Sequence, residues 1–307
     1  MAALYVVGTP IGNLDDITLR ALDTLRRVDI VACEDTRHTL KLLTHHEIRK
    51  PLVACHANDE QRAAMKIVGL LHEGKDVAYC TDAGTPGLSD PGAALVRIVR
   101  AAGQEVIPIP GPSAFATLLS VSGFGGRSIA FDGFQSPKAQ RRKARLAELL
   151  RRNESFVLYE SPFRVAKLMR ELAELAPGRM VCVGRELTKI HEEICVGSAR
   201  DLALRFASNR DSVADGGSVP PTAAEIPEKG EFAIMVYGAE AEGEAGIEGE
   251  DQAEVQAPGG LVACDAADFA ASAAPGDFVA PERGMVPSGA GRPYRRGPEA
   301  RRGKGKR

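Results

Sequence analysis

Asp76 to Ser113 reads DVAYCTDAGTPGLSDPGAALVRIVRAAGQEVIPIPGPS. Val77 to Cys80 is a short apolar run of the kind that forms a buried strand. It empties into a loop crowded with Asp82, Gly84, Thr85, Pro86, Gly87, Ser89, Asp90, Pro91 and Gly92. A helix is expected next. Asp90 is its natural N-cap, and Pro91 sits at the first helical position, where a missing N–H is harmless. Ala94, Leu95, Ile98, Val99 and Ala102 share one helical face, and Gly103 closes the helix. A second apolar run, Val106 to Ile109, meets another loop, Pro110-Gly111-Pro112-Ser113. Strand, loop, helix, strand, loop make one βαβ unit with two Gly/Pro loops at the same sheet edge. Ligands of open α/β sheets sit outside the carboxyl ends of the strands, so the active site is expected there.

The same grammar extends in both directions. Leu4 to Val7 is a continuous apolar strand that runs into Gly8-Thr9-Pro10-Ile11-Gly12-Asn13. Asp15 or Asp16 is expected to cap the following helix. Asp29 to Cys33 is a strand ending at Glu34-Asp35-Thr36-Arg37, and Leu52 to Cys55 is another. Asn58 and Gln61 resemble a capping box for a helix carrying Ala64, Ile67, Val68 and Leu71. Residues 1–112 therefore read as a doubly wound parallel sheet. Residues 113–238 read as a second α/β domain with a mixed sheet, including a Lys/Arg-dense helix from Pro137 to Arg152 and a polar loop at 209–229. From 239 to 307 the chain is Ala, Gly, Glu and Pro without periodicity and ends on GRPYRRGPEARRGKGKR. Such a segment buries too little apolar surface to offset its ordering entropy, and a disordered tail with a basic tip is expected.

Composition narrows the class. The 307 residues are 44% hydrophobic and carry a formal net charge of −2, so overall charge selects no partner. The six cysteines form no C-x-x-C pair, which points to buried, reduced thiols in a cytoplasmic protein. MAALYVVGTP lacks the basic start of a signal peptide, and no apolar run is long enough for a membrane span. The histidines show no metal-ligand spacing, and no metal is expected. A P-loop lysine, a G-x-S-x-G elbow and H-E-x-x-H are absent. Gly8-x-x-x-Gly12 with Glu34 roughly 20 residues on is a poor dinucleotide fingerprint, because G-x-G-x-x-G is missing.

The Gly/Pro loops carry more information. One alone reads as turn punctuation. Three at the ends of three strands of one sheet favour a ligand cleft, where glycine admits close backbone approach and proline limits the entropy lost on binding. Gly111 in particular is expected to let backbone approach a ligand.

TPIGNL, ACEDTR, TDAGTPGLSDPG, PIPGPSA, LYESPFR, RELTK and KGEF occur in this order. Residues 4 to 238 thereby resemble the tetrapyrrole-methylase-fold superfamily, and more narrowly its branch acting on small-subunit ribosomal RNA. The resemblance implies an S-adenosylmethionine cleft between two α/β domains, a homodimer, and methylation of a cytidine ribose 2′-hydroxyl in the decoding region. It also implies that Thr9, Pro10, Gly12, Asp82, Gly84, Thr85, Pro86, Ser89, Pro110, Gly111, Pro112, Tyr159 and Phe232 line the cofactor cleft. Candidate general bases are Glu34, Asp35 and Glu160, each at a strand's carboxyl end. Arg37, Arg164, Arg185 and Lys189 are candidates for holding RNA phosphates, as are Arg141 and Arg142 on the basic helix. A structural ion-pair network at the domain junction is the plainer reading of EDTR and RELTK. A tetrapyrrole methylase of the same fold, or a ribosome-assembly module without catalysis, remains the alternative.

Overall fold

The computed structural model describes residues 2–55, 60–123, 126–207 and 226–239. Asn58, most of the 209–229 loop and nearly all of the tail expected at 239–307 lie outside these residues.

The first sheet is built from β1 (Ala3–Val7), β2 (Ile30–Cys33), β3 (Leu52–Ala54), β4 (Val77–Cys80) and β5 (Glu105–Ile109). All neighbours are parallel, in the order β3-β2-β4-β1-β5. A parallel sheet needs both faces covered, which is why its strands are continuous apolar runs. One face is covered by α1 (Leu19–Arg27) and α2 (Thr36–His45) through Leu22, Leu25, Leu42 and Leu43. The other is covered by α3 (Glu60–His72) and α4 (Ala93–Ala101) through Ile67, Leu71, Leu95 and Val99.

Two expected caps are replaced. Asn13 caps a short 3-10 turn at Leu14–Asp16, and Thr18 caps α1, in place of Asp15 or Asp16. At α4 the N-cap is Gly92, not Asp90, and it brings no side-chain bond of its own. Glu60 supplies the missing acceptor from the start of α3. Its Oε1 accepts from the Gly92, Ala94 and Leu95 N–H groups at 2.8, 3.1 and 3.1 Å. A carboxylate there satisfies orphan donors and complements the helix dipole.

The second sheet comprises β6 (Ile129–Phe134), β7 (Ser155–Glu160), β8 (Met180–Arg185), β9 (Glu193–Ser198) and β10 (Phe232–Val236), ordered β6-β7-β10-β8-β9. Only β6–β7 is parallel; β10 runs antiparallel to β7 and β8, and β9 antiparallel to β8. One face carries α6 (Ala139–Arg151), α7 (Val165–Leu175) and α8 (Ala199–Ala207). The other packs Val157, Cys182, Ala233 and Met235 against Leu118 of α5 (Ala114–Val121) and against Ile11, which comes from the loop after β1.

The basic helix α6 does not present the free stripe its composition suggests. Arg142 is buried, with Nε and Nη2 donating to Glu171 of α7 at 2.6 and 2.7 Å and Nη1 donating to Ser136 O at 3.0 Å. It is therefore a packing residue, not one that reaches RNA. Lys143 pairs with Glu174, Arg145 with Asp132 and Glu148, and Arg152 with Glu148. Lys138, Arg141 and Arg151 are the helix cations outside these pairs. Removing one member of a buried bidentate pair leaves an uncompensated charge, at about 3–5 kcal/mol. Arg142→Ala should accordingly lose that much stability in urea unfolding. Arg142→Met combined with Glu171→Leu should recover most of it.

Candidate active site

The loops after β1, β4 and β5 meet at the carboxyl edge of the first sheet. Thr9 and Gly84 form an isolated antiparallel bridge, with Thr9 N donating to Gly84 O at 2.8 Å and Gly84 N to Thr9 O at 3.1 Å. Thr85 Oγ1 donates to Pro112 O at 3.1 Å, and Gly8 N donates to Ile109 O at 3.0 Å. A Cβ on Gly111 would lie 2.7 Å from Gly8 O, so the close approach that this glycine permits is to Gly8 and not to a ligand. A Cβ on Gly12 would lie 2.7 Å from Thr188 Oγ1, and Asn13 N donates to that same hydroxyl at 3.1 Å. The loop after β1 is thus clamped to the Arg185–Lys189 segment beside the second sheet.

Two cavities border this junction and share Ile11, Ala83 and Glu231. The first, about 340 Å³, is walled by Leu88, Ala114, Phe134, Leu187, Phe232 and Ala233, with Thr85, Ser89, Asp90, Tyr159 and Glu160 as polar groups. The second, about 420 Å³, is lined by Thr9, Pro10, Gly12, Asp82, His38, Lys41 and Lys189. Of the expected cofactor residues, Gly84, Thr85, Ser89, Tyr159 and Phe232 border the first cavity, and Thr9, Pro10, Gly12 and Asp82 the second. Pro86, Pro110, Gly111 and Pro112 border neither; Gly111 and Pro112 instead join the loops to one another through Gly8 and Thr85. Tyr159 is oriented by its hydroxyl, which accepts from Phe115 N at 2.8 Å at the start of α5.

The carboxylates separate by environment. Asp35 is the N-cap of α2, and its bonds to the Arg37 side chain hold it far below the usual carboxylate range, which makes it a weak base. Glu160 is buried, and its Oε1 accepts from Arg164 Nε and Ser161 N, both at 2.8 Å. Its Oε2 is buried without a partner beside the first cavity. Glu34 borders neither cavity. Asp90, read from sequence as a helix cap, lines the first cavity, where burial and then the Glu34 and Asp82 charges push it up to about 6.

The expected phosphate binders are mostly engaged elsewhere. Arg37 is exposed but paired with Asp35, and Arg164 is paired with Glu160. Arg185 donates to Lys229 O at 2.8 Å and pairs with Glu193. Lys189 bridges Glu186 and Glu231 at 2.9 and 3.0 Å. The cations of EDTR and RELTK are thus engaged in ion pairs as anticipated, but Arg37 pairs within its own loop and Arg185 and Lys189 pair with carboxylates of the second sheet's own segments. Burial raises the thiols of Cys33, Cys55, Cys80, Cys182 and Cys195, so none is poised as a nucleophile.

A sequence model of the Tetrapyrrole (Corrin/Porphyrin) Methylases matches residues 3–203. The chain belongs to the tetrapyrrole methylase family. Among solved structures it is similar to the methyltransferase CobJ, with a TM-score of 0.56, 19% identity and coverage of 78% of this chain and 95% of that one. It is likewise similar to cobalt precorrin-4 methyltransferase CbiF, with a TM-score of 0.55, 17% identity and coverage of 76% and 94%. At that identity the likeness speaks to fold alone. Sequence relatives are nearer. Ribosomal RNA small subunit methyltransferase I of Borrelia garinii is 42% identical over 233 residues, 76% of this chain and 97% of the relative. That of Coprothermobacter proteolyticus is 43% identical over 234 residues, 76% and 97%. That of Neisseria meningitidis serogroup B is 40% identical over 244 residues, 80% and 79%.

Family members take their methyl group from S-adenosylmethionine. The first cavity suits such a ligand. Its volume lies in the range of small-molecule sites and its walls are largely apolar. The unpartnered Glu160 Oε2 also asks for a donor or a positive charge, and the molecule brings an ammonium, hydroxyls and a sulfonium. Gly111→Ala should force the loops after β1 and β5 apart. The expected effect is about 1–3 kcal/mol of lost stability by urea unfolding, together with at least tenfold weaker S-adenosylmethionine binding by calorimetry.

Proposed function

We propose that this protein transfers a methyl group from S-adenosylmethionine to the ribose 2′-hydroxyl of a cytidine in the decoding region of small-subunit ribosomal RNA. The observation that carries the reading is identity of about 40% with relatives named ribosomal RNA small subunit methyltransferase I, across nearly the whole length of several of them. Residues 1–112 and 113–238 act in it as two domains, each supplying part of the cleft. The first cavity holds the methyl donor and the second admits the acceptor. Their shared lining at Ile11, Ala83 and Glu231 supports an in-line approach between the two.

The donor is an activated sulfonium, so what the protein contributes is alignment, exclusion of water and somewhere for the hydroxyl proton to go. Apolar walls at Leu88, Phe134 and Leu187 exclude water. Lys41, exposed and outside the ion pairs described above, gives the second cavity a cation of the kind an RNA backbone prefers. The protein acts as a cytoplasmic homodimer on RNA within an assembled or assembling subunit. Among the described residues no helix is long and apolar enough to cross a membrane.

The test is transfer of labelled methyl from S-adenosylmethionine to small subunits lacking the modification, with the position mapped by mass and by resistance of the neighbouring bond to alkali. A tetrapyrrole offered in parallel should accept nothing; transfer to it, with none to RNA, would reverse the assignment. Arg141→Glu, an exposed change on α6, should reduce transfer several-fold and flatten its dependence on salt. Cofactor affinity should stay as it was.

A further inference from the structure

Among the described residues two aromatic side chains stand strongly exposed, Phe134 at 56% and Phe163 at 93%. Phe134 ends β6 and borders the first cavity. Phe163 lies in the turn between β7 and α7 and borders neither cavity. The methyl donor and the acceptor nucleoside therefore leave its exposure unexplained. A phenyl ring held in water forgoes the burial that makes an aromatic side chain useful to a core.

Both rings sit on anchored backbone. The Phe134 ring meets Tyr159 edge to face, with centroids 5.7 Å apart. Arg164 N and Val165 N each donate to Ser161 O at 3.1 Å, which closes the turn that carries Phe163. Arg164 Nε donates to Glu160 Oε1 at 2.8 Å, and its Nη1 reaches Gln135 O at 3.5 Å. One guanidinium thus ties the residue after Phe163 to the residue after Phe134.

Charge around the rings is unbalanced. Arg142 and Glu171 pair across α6 and α7. One turn nearer the start of each helix stand Lys138 and Lys167, both exposed and both outside the ion pairs of the described residues. Arg141, three residues after Lys138, shares its side of α6 and is likewise exposed and outside those pairs. Neither helix has an acidic residue in its first turn to offset these cations. A protein partner could cover the rings but has no need of three like charges. A small anion could use the charges but has no need of the rings. A single strand of nucleic acid uses both, because its bases stack on aromatic faces while its backbone follows the cations.

We propose that Phe163 and Phe134 form a stacking platform for an unpaired base of the RNA substrate, and that Lys138, Arg141 and Lys167 hold the adjoining phosphates. The inference rests on the RNA methyl-transfer reading above and adds a second place at which that RNA is held. Phe134 sets the platform at the border of the donor cavity, so the stacked base belongs to a nucleotide flanking the acceptor. Every base has a π face, so the platform contributes affinity and strand orientation and leaves the choice of nucleotide to the acceptor cavity. It also requires a base that is free of its partner, which favours single-stranded over duplex RNA.

The chain has no tryptophan, so Phe163→Trp installs a sole fluorescent reporter that keeps an aromatic face. A single-stranded oligoribonucleotide of mixed sequence should quench that fluorescence saturably, and a duplex of the same length should not. Phe163→Ala should bind the single strand about tenfold less tightly. It should raise KM for small subunits lacking the modification by a similar factor, with kcat and S-adenosylmethionine affinity within about twofold of wild type. Phe163→Leu, apolar but without a π face, should match Phe163→Ala, whereas Phe163→Tyr should match wild type. Lys138→Gln combined with Lys167→Gln should lower the slope of log affinity against log salt by about 1.4, the amount for two single-strand phosphate contacts. All these positions are exposed, so Tm should stay at the wild-type value. Unquenched tryptophan in protein that still binds the oligonucleotide, or full function in Phe163→Leu, would overturn the proposal. So would a Phe163→Ala protein that sediments at half the wild-type mass, because the occupant of the ring would then be a second copy of this chain. Intact wild-type transfer beside an unaffected Phe163→Ala would remove the platform alone. Wild-type protein that binds the cofactor but neither binds nor methylates small-subunit RNA would overturn the function itself, and this inference with it.

Discussion

The reciprocal hydrogen bonds between Thr9 and Gly84 are the constraint on which the site depends. β1 and β4 are adjacent in the sheet but far apart in sequence, and β5 flanks β1 on its other side. Their loops leave the same edge and would diverge under the normal twist of the strands. The Thr9–Gly84 bridge closes the gap on one side, and the contact between Gly8 and Gly111 closes it on the other. With backbone groups satisfied by one another, the loops need no support from a ligand. Their side chains are free to form cavity walls. The contact of Ile11 with the inner face of the second sheet then fixes where those walls stand.

Charge is allocated with the same economy. Cations near the junction are nearly all compensated: Arg37 by Asp35, Arg164 by Glu160, Lys189 by Glu186 and Glu231. Such pairs contribute little when exposed and more when desolvated. Their main consequence here is that the segment after β8 and the residue before β10 are held by one ammonium. Paired arginines are poor sources of counterion-release affinity, because their charge is already neutralised. RNA attraction by the described surface therefore falls to fewer residues than the composition of α6 promises.

The fold was legible because its signals are local. Apolar runs bounded by glycine and proline located the strands, and periodicity located the helices between them, giving a parallel first sheet and a mixed second one. The errors arose where a residue's partner is remote. Asp90-Pro91 has the pattern of a cap, but the acceptor that caps α4 is Glu60, 32 residues earlier than Gly92. Arg142 counts as one more cation in a basic run, yet it falls on the stripe of Leu146 and Leu149, just as Glu171 falls on the stripe of Leu168 and Leu172. A charge on each of two apolar stripes in neighbouring helices is the sequence signature of a buried pair. That signature was available, whereas the Glu60 contact was not.

The site itself was legible as a place before it was legible as chemistry. Gly/Pro loops announced the edge at which ligands collect, and most of the residues expected there border one of the two cavities. Which carboxylate reacts is a different kind of question, because Glu34, Asp35, Asp82, Asp90, Glu160 and Glu231 are alike in sequence and differ only in what surrounds them. Arg37 lowers one, Arg164 engages another, and Lys189 a third. What distinguishes Asp90 is partial burial among like charges, a property that exists only after distant strands have been brought together. A protein gains nothing in stability from leaving Asp90 half-buried among like charges. Stability elsewhere, from four apolar clusters and a buried Arg142–Glu171 pair, lets the fold tolerate that deficit at the sheet edge where the cavities lie.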